Sequence, residues 1–138
     1  VEPRDFTQQA SDLVEPPSRV QTQVTRIIRD TATSRSLKKL YGFRCQVCGV
    51  SIGFAPGPLY VEVHHVQPLG GTHRGTDTND NMLVVCPNHH AMFDYGIPEF
   101  ITPGLLRIGT ETVALTLKHS LSERCVKYHN KNIKRSCD

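Results

Sequence analysis

Cysteine and histidine recur in this chain at spacings that suit metal ions, and they do so in two separate sets. Cys45 and Cys48 are separated by two residues, as are Cys86 and His89. A pair spaced this way can grip one ion from a tight turn or from the start of a helix. Zinc takes four such ligands in tetrahedral geometry. The stretch from Cys48 to Cys86 is far longer than the roughly 12–20 residues of an ordinary zinc finger, so an inserted hairpin is expected between the half-sites. Buried cysteines with a stray histidine would account for one pair. Two pairs favour a closed structural zinc site of Cys45, Cys48, Cys86 and His89.

The second set is His64, His65, Asn81, His90 and Asp94. On a helix His90 and Asp94 stand i, i+4 and share a face, whereas His89 is rotated from His90 by about 100°. One histidine can therefore face the zinc while its neighbour faces an active site. Neutral imidazole is a competent base near pH 7. A divalent ion held by few protein ligands keeps positions open for water and phosphate oxygens. Both are needs of phosphodiester hydrolysis. His65 is the candidate base, and His64, His90 and Asp94 are the candidate ligands of a catalytic ion. Asn81 would hold the base in its tautomer through its side-chain amide or its backbone carbonyl. Each histidine alone reads more readily as a surface or core residue; the set carries the argument.

The elements that must position these residues follow from periodicity. Residues 1–17, with Pro3, Pro16 and Pro17, read as a linker or arm. Ser18 caps a helical stripe of Val20, Val24, Ile27, Ile28, Leu37, Leu40 and Tyr41, weakest through Thr31 to Ser36. Arg19, Arg26, Arg29, Arg35, Lys38 and Lys39 lie along it, as a solvated face or as a phosphate-facing one. Gly42 ends that helix, and Cys45 to Gly49 forms a knuckle. Leu59 to Val66 has the β-branched content of a strand. Residues 67–81 form a long loop, and Met82 to Val85 a short apolar strand. Pro87 suits the first turn of a helix that Gly96 ends near Tyr95. Short strands are expected at Phe100 to Ile101 and Leu105 to Ile108, with Val113 to Leu117 pairing across Gly109 to Thr112. A last helix is expected over Leu121 to Ile133, followed by a polar tail. Fold class is thus α+β.

Composition sets outer bounds. With 138 residues, 38% of them apolar and no Trp, the chain suits one domain whose small core would gain from a metal staple. A formal net charge of +3 is compatible with nucleic acid. No apolar run approaches the roughly 18 residues of a membrane span, and no secretory signal opens the chain, so a cytoplasmic protein is expected. The chain opens at Val1, which reads as a fragment or processed form with a further domain upstream. Cys125 and Cys137 lie outside the metal pattern, as a disulfide or, in an intracellular protein, as thiols.

Four stretches together resemble the HNH endonuclease family, also called ββα-metal nucleases, in its restriction-enzyme-like branch. They are the Cys45 to Cys48 knuckle, Glu62-Val63-His64-His65, Cys86-Pro87-Asn88-His89-His90 and Phe93-Asp94-Tyr95-Gly96. The likeness spans residues 40–97, with a weaker echo at Tyr128-His129-Asn130. It implies a ββα-metal core stapled by zinc within a nuclease domain over 18–135, an N-terminal helix, and a C-terminal small hairpin plus helix. The general base maps to His65, the family's middle Asn to Asn81 ahead of Asn79, and the closing His to His90. Many relatives carry Cys where His89 stands, and His or Asn where Asp94 stands. The carboxylate suits magnesium or manganese as the catalytic ion, since hard cations prefer oxygen.

The resemblance implies metal-assisted hydrolysis of double-stranded DNA. A homodimer would cut both strands, and the missing upstream domain would do the recognising, with modified DNA among the targets. A zinc-stapled nucleic-acid-binding module without cleavage is the alternative, and a protein-interaction zinc domain a third reading. Neither needs His65, His90 and Asp94 together. Glu62 is read as an edge salt bridge. His73 and Arg74 read as backbone-contacting or, more simply, as part of a solvated loop. His119 and His129 read as structural or surface residues.

Overall fold

The computed structural model describes residues 31–53 and 56–136. The arm expected at 1–17, the helical stripe expected over 18–30 and Cys137 lie outside the described residues. Helix α1 spans Ala32–Leu40. The Thr31 hydroxyl accepts the Ser34 amide at 3.1 Å, and the Ser34 hydroxyl donates to the Thr31 carbonyl at 2.9 Å. Thr31 to Ser36, where the stripe reads weakest, is therefore a helix start. Ser and Thr compete with a helix interior for backbone partners but satisfy the free amides of a first turn.

Strand β1 (Ile52–Gly53) pairs antiparallel with β2 (Leu59–Tyr60), and β3 (Glu62–His65) pairs antiparallel with β4 (Met82–Val85). The single strand expected over Leu59 to Val66 is thus broken at Val61. That side chain is buried with Leu37 and Tyr41, and the backbone changes sheets there. A short 3₁₀ turn at Asn79–Asn81 leads into β4. Helix α2 (Pro87–Asp94) follows directly, with Pro87 in its first turn, where a missing amide costs nothing.

Beyond α2, strands β5 (Glu99–Thr102), β6 (Leu105–Ile108) and β7 (Glu111–Ala114) form an antiparallel meander. Its last turn is only Gly109-Thr110, since Ile108 pairs with Glu111. The expected strand at Val113 to Leu117 therefore starts two residues early. Gly109 has φ 63°, the left-handed conformation that a two-residue hairpin loop needs. Helix α3 (Glu123–Tyr128), capped by Ser122, runs on into a π turn at His129–Ile133.

Strand β4 explains why Met82-Leu83-Val84-Val85 is apolar throughout: it is covered on both faces. Met82 and Val84 pack with Leu37, Tyr41 and Val61 beneath α1. Leu83 and Val85 alternate to the other side, with Phe93, Phe100, Leu106 and Val126. Gln46 ties the knuckle to this strand. Its side chain accepts the Val84 amide at 2.8 Å and donates to the Thr116 carbonyl at 2.8 Å. Asn130 clamps the β5 edge by bonding both backbone groups of Phe100.

His129 is enclosed at the base of this second layer. Its Nε2–H donates to the Pro98 carbonyl at 2.7 Å, and its ring stands edge-on to Phe93 and Phe100. Burial pushes its pKa below the ordinary imidazole value. Between that depressed folded value and an unfolded value of about 6.5, the unfolded chain binds a proton that the fold does not. Stability from this group is present above about pH 6.5 and is lost as pH falls toward the folded value. Urea unfolding in excess zinc should show stability falling from pH 7.5 to 5, with a shallower slope in His129→Gln.

Candidate metal centres

The knuckle and the N-terminus of α2 meet as the spacing requires. The Cys45 amide donates to the Val50 carbonyl and the Gly49 amide to the Cys45 carbonyl, closing the turn that presents Cys45 and Cys48. Opposite stand Cys86, the N-cap of α2, and His89 in its first turn. One ligand atom from each of the four lies within 4.8 Å of the others. Cys86 Sγ is 3.2 Å and Cys45 Sγ 3.7 Å from His89 Nδ1, and Cys48 Sγ is 3.8 Å from Cys86 Sγ. Zinc bonds of about 2.0–2.3 Å place tetrahedral neighbours roughly 3.3–3.8 Å apart, so these donors fit the ion. Desolvation, together with the crowding Cys45 and Cys86 sulfurs, pushes the Cys48 thiol up to about 11. A divalent cation reverses that crowding by taking the sulfurs as thiolates. The set can hold zinc.

The second centre lies between β3 and α2. His64 Nδ1, His90 and Asp94 offer ligand atoms within 4.8 Å of one another. Asp94 Oδ1 is 3.5 Å from His64 Nδ1 and 3.8 Å from His90 Nε2. His64 is stacked on Phe93, with ring centroids 5.0 Å apart, and burial lowers its pKa to about 4 against the opposing pull of Asp94. It is therefore neutral near pH 7, as a ligand must be. Asp94 is 47% exposed, so this donor set is open to solvent on the Asp94 side. Two imidazoles, one carboxylate and an open side suit a divalent ion that keeps room for substrate oxygens.

Glu62 is more than the edge salt bridge expected of it. His90 Nδ1–H donates to Glu62 Oε1 at 3.0 Å, and the Tyr60 hydroxyl donates to Glu62 Oε2 at 2.6 Å. This fixes the tautomer that leaves His90 Nε2 unprotonated toward Asp94 and His64. A signal for it was present in the sequence, since Glu62 and His64 are two apart on a strand and share a face.

His65 lies outside that ligand group. Its Nε2–H donates to Asp77 Oδ1 at 2.9 Å. Nothing in the sequence marks Asp77 for this place. Asn81 is fully buried, and neither its amide nor its carbonyl bonds His65. Its Oδ1 accepts the Gln67 amide at 2.8 Å, and its Nδ2 donates to the Gln67 and Thr76 carbonyls at 2.9 and 2.8 Å. Its carbonyl accepts the Val66 amide. His73 is turned inward onto the Tyr128 hydroxyl at 2.6 Å instead of lying in a solvated loop. His119 bridges Tyr41 and the Met82 carbonyl, a structural role as expected. Cys125 is a buried free thiol.

The stretch that carries both clusters is also similar to known proteins. Residues 45–97 match the family model described as HNH endonuclease. A 53-residue stretch is 43% identical to the type IV methyl-directed restriction enzyme EcoKMcrA of Escherichia coli (strain K12), covering 37% of this chain and 18% of that protein. The fold is similar to a solved modification dependent TagI restriction endonuclease, with a TM-score of 0.65 and 31% identity over 73% of this chain and 38% of that one. The chain thus spans well under half the length of either relative.

Two outcomes follow for the metals. Cys86→Ser, or exhaustive chelation, should abolish cooperative thermal unfolding and release bound zinc, read by circular dichroism and metal analysis. Glu62→Ala should weaken manganese binding at the second centre by roughly 10–100-fold, measured by calorimetric titration, with zinc content unchanged.

Proposed function

We propose, from the match of residues 45–97 to the HNH endonuclease family, that this domain is a metal-dependent DNA endonuclease. The observation that carries the reading is the gathering of His64, His90 and Asp94 around one point, with His65 next in the chain but outside the ligand group. A domain that only bound nucleic acid would use the Cys45, Cys48, Cys86 and His89 clasp and leave the second centre idle.

In this reading His64, His90 and Asp94 hold magnesium or manganese. When bound, the ion neutralises charge on the scissile phosphate and the leaving oxygen. His65 Nδ1, which has no partner among the described residues, accepts a proton from water as the water oxygen attacks phosphorus. The bond from phosphorus to the leaving sugar oxygen breaks, its electron pair stays on that oxygen, and solvent supplies the proton. Glu62 keeps His90 in the ligating tautomer. The Cys45, Cys48, Cys86 and His89 zinc takes no part in chemistry and holds α2 against the knuckle.

The names of the relatives, methyl-directed and modification dependent, support a restriction-type role on double-stranded DNA with modified bases among its targets. Their greater lengths support a separate recognition domain. One such site cuts one strand, so a homodimer serves for two. A Cys-rich zinc clasp and a buried thiol at Cys125 suit the reducing cytoplasm. Among the described residues no helix is long and apolar enough to cross a membrane.

Plasmid DNA incubated with the protein should be nicked with magnesium or manganese and spared with EDTA. His65→Ala should lose roughly 10²–10⁴ in rate while keeping its zinc and its melting curve. Cutting by His65→Ala at the wild-type rate would remove His65 as the base.

A further inference from the structure

The loop over residues 67–78 is held at several points, and it delivers one carboxylate to His65. Asn81 Nδ2 bonds the Thr76 carbonyl, the residue before Asp77. The Gly75 amide donates to the Pro68 carbonyl at 2.8 Å, and a Cβ at Gly75 would stand 1.9 Å from the Gln67 carbonyl oxygen. Only glycine permits that approach. The Gln67 side chain donates to the His73 carbonyl, and the His73 ring is bonded to Tyr128 of α3. Asp77 is thus placed by anchors on both sides of the loop, and its Oδ1 accepts His65 Nε2–H at 2.9 Å.

We propose that Asp77 is a positioning residue for His65. A neutral imidazole carries one N–H and one lone pair, and a base works only when the lone pair faces its proton. A carboxylate on Nε2 fixes the proton there, fixes the ring's rotation, and leaves the Nδ1 lone pair for water. The His65 ring is 20% exposed and Asp77 33%. Without the carboxylate such a ring is free to rotate and to exchange tautomers. Asn81, fully buried and spent on backbone groups, has no bond of its own to His65. Its Nδ2 holds the Thr76 carbonyl, next to Asp77. This rests on the nuclease reading above.

The test is plasmid nicking in magnesium by the full chain and by Asp77→Ala, Asp77→Asn, Asp77→Glu and His65→Ala, with kcat and KM separated. Proton spectra recorded alongside look for a protected, downfield imidazole N–H signal absent from His65→Ala. The proposal expects Asp77→Ala and Asp77→Asn to lose about 10–100-fold in kcat, part of the loss of the base itself. KM should stay within about twofold, zinc content and melting should be unchanged, and the His65 N–H signal should be gone from Asp77→Ala. Asp77→Glu, which keeps the carboxylate, should recover part of kcat. Wild-type kcat in Asp77→Ala overturns the assignment. So does a persistent His65 N–H signal in that variant, or a loss of activity that only tracks a lowered melting temperature and is no smaller in Asp77→Glu. Absence of cutting by the wild-type protein defeats the nuclease reading and this assignment with it. A dead His65→Ala beside a fully active Asp77→Ala defeats this assignment alone.

Discussion

The meeting of the Cys45–Cys48 knuckle with the first turn of α2 sets the positions of His90 and Asp94, two of the three donors of the second cluster. His89 sits in that turn, 3.7 Å from Cys45 Sγ. His90 is one residue further, turned by about 100° around the same axis. Fixing His89 against the sulfurs therefore fixes the direction of His90, and Asp94 one turn beyond it. A rotation of α2 that spoiled one centre would spoil both. One helix therefore serves both clusters, and the arrangement of the first decides where two donors of the second stand.

Strand β3 supplies the other half through its pleat. Glu62 and His64 face α2, where one meets His90 and the other Phe93 and Asp94. His64 is buried against an aromatic ring and stays uncharged, while Glu62 is held by two donors, Tyr60 and His90. Glu62 and His90 thus settle each other's protons, while His64 Nε2 is buried with no hydrogen-bond partner among the described residues. Burying such a nitrogen is costly. His65, on the alternate face of the strand end, turns to the 67–78 loop. Adjacent residues can therefore serve different roles because the strand separates them.

The loop shows where reading the chain reaches its limit. Its Gly, Thr, Asn and Asp content marks it as irregular, and that is what it is. Yet it is anchored by Asn81 and by His73 on Tyr128, the latter contact spanning 55 positions of sequence. No local pattern predicts such a partner, because the contact is made by the packing of α3 and not by the loop's own residues. The same holds for Gln46, whose bonds to Val84 and Thr116 join segments 38 and 70 residues apart.

Spacing alone singled out the set of Cys45, Cys48, Cys86 and His89 and the pair of His90 and Asp94, and the fold brings each together. Two residues between Cys45 and Cys48, two between Cys86 and His89, and three between His90 and Asp94 are commands to a turn or a helix, and local backbone geometry executes them without outside help. The apolar run of β4 likewise announced a strand, and the fold covers it on both faces. What waited for the folded chain was every assignment that needs two distant groups at once: Glu62 on His90, Asp77 on His65, and Asn81 on a loop backbone instead of on His65. The difference is one of range. Periodicity reports which face a residue takes on its own element, while the partner across the gap is fixed only when the elements have packed.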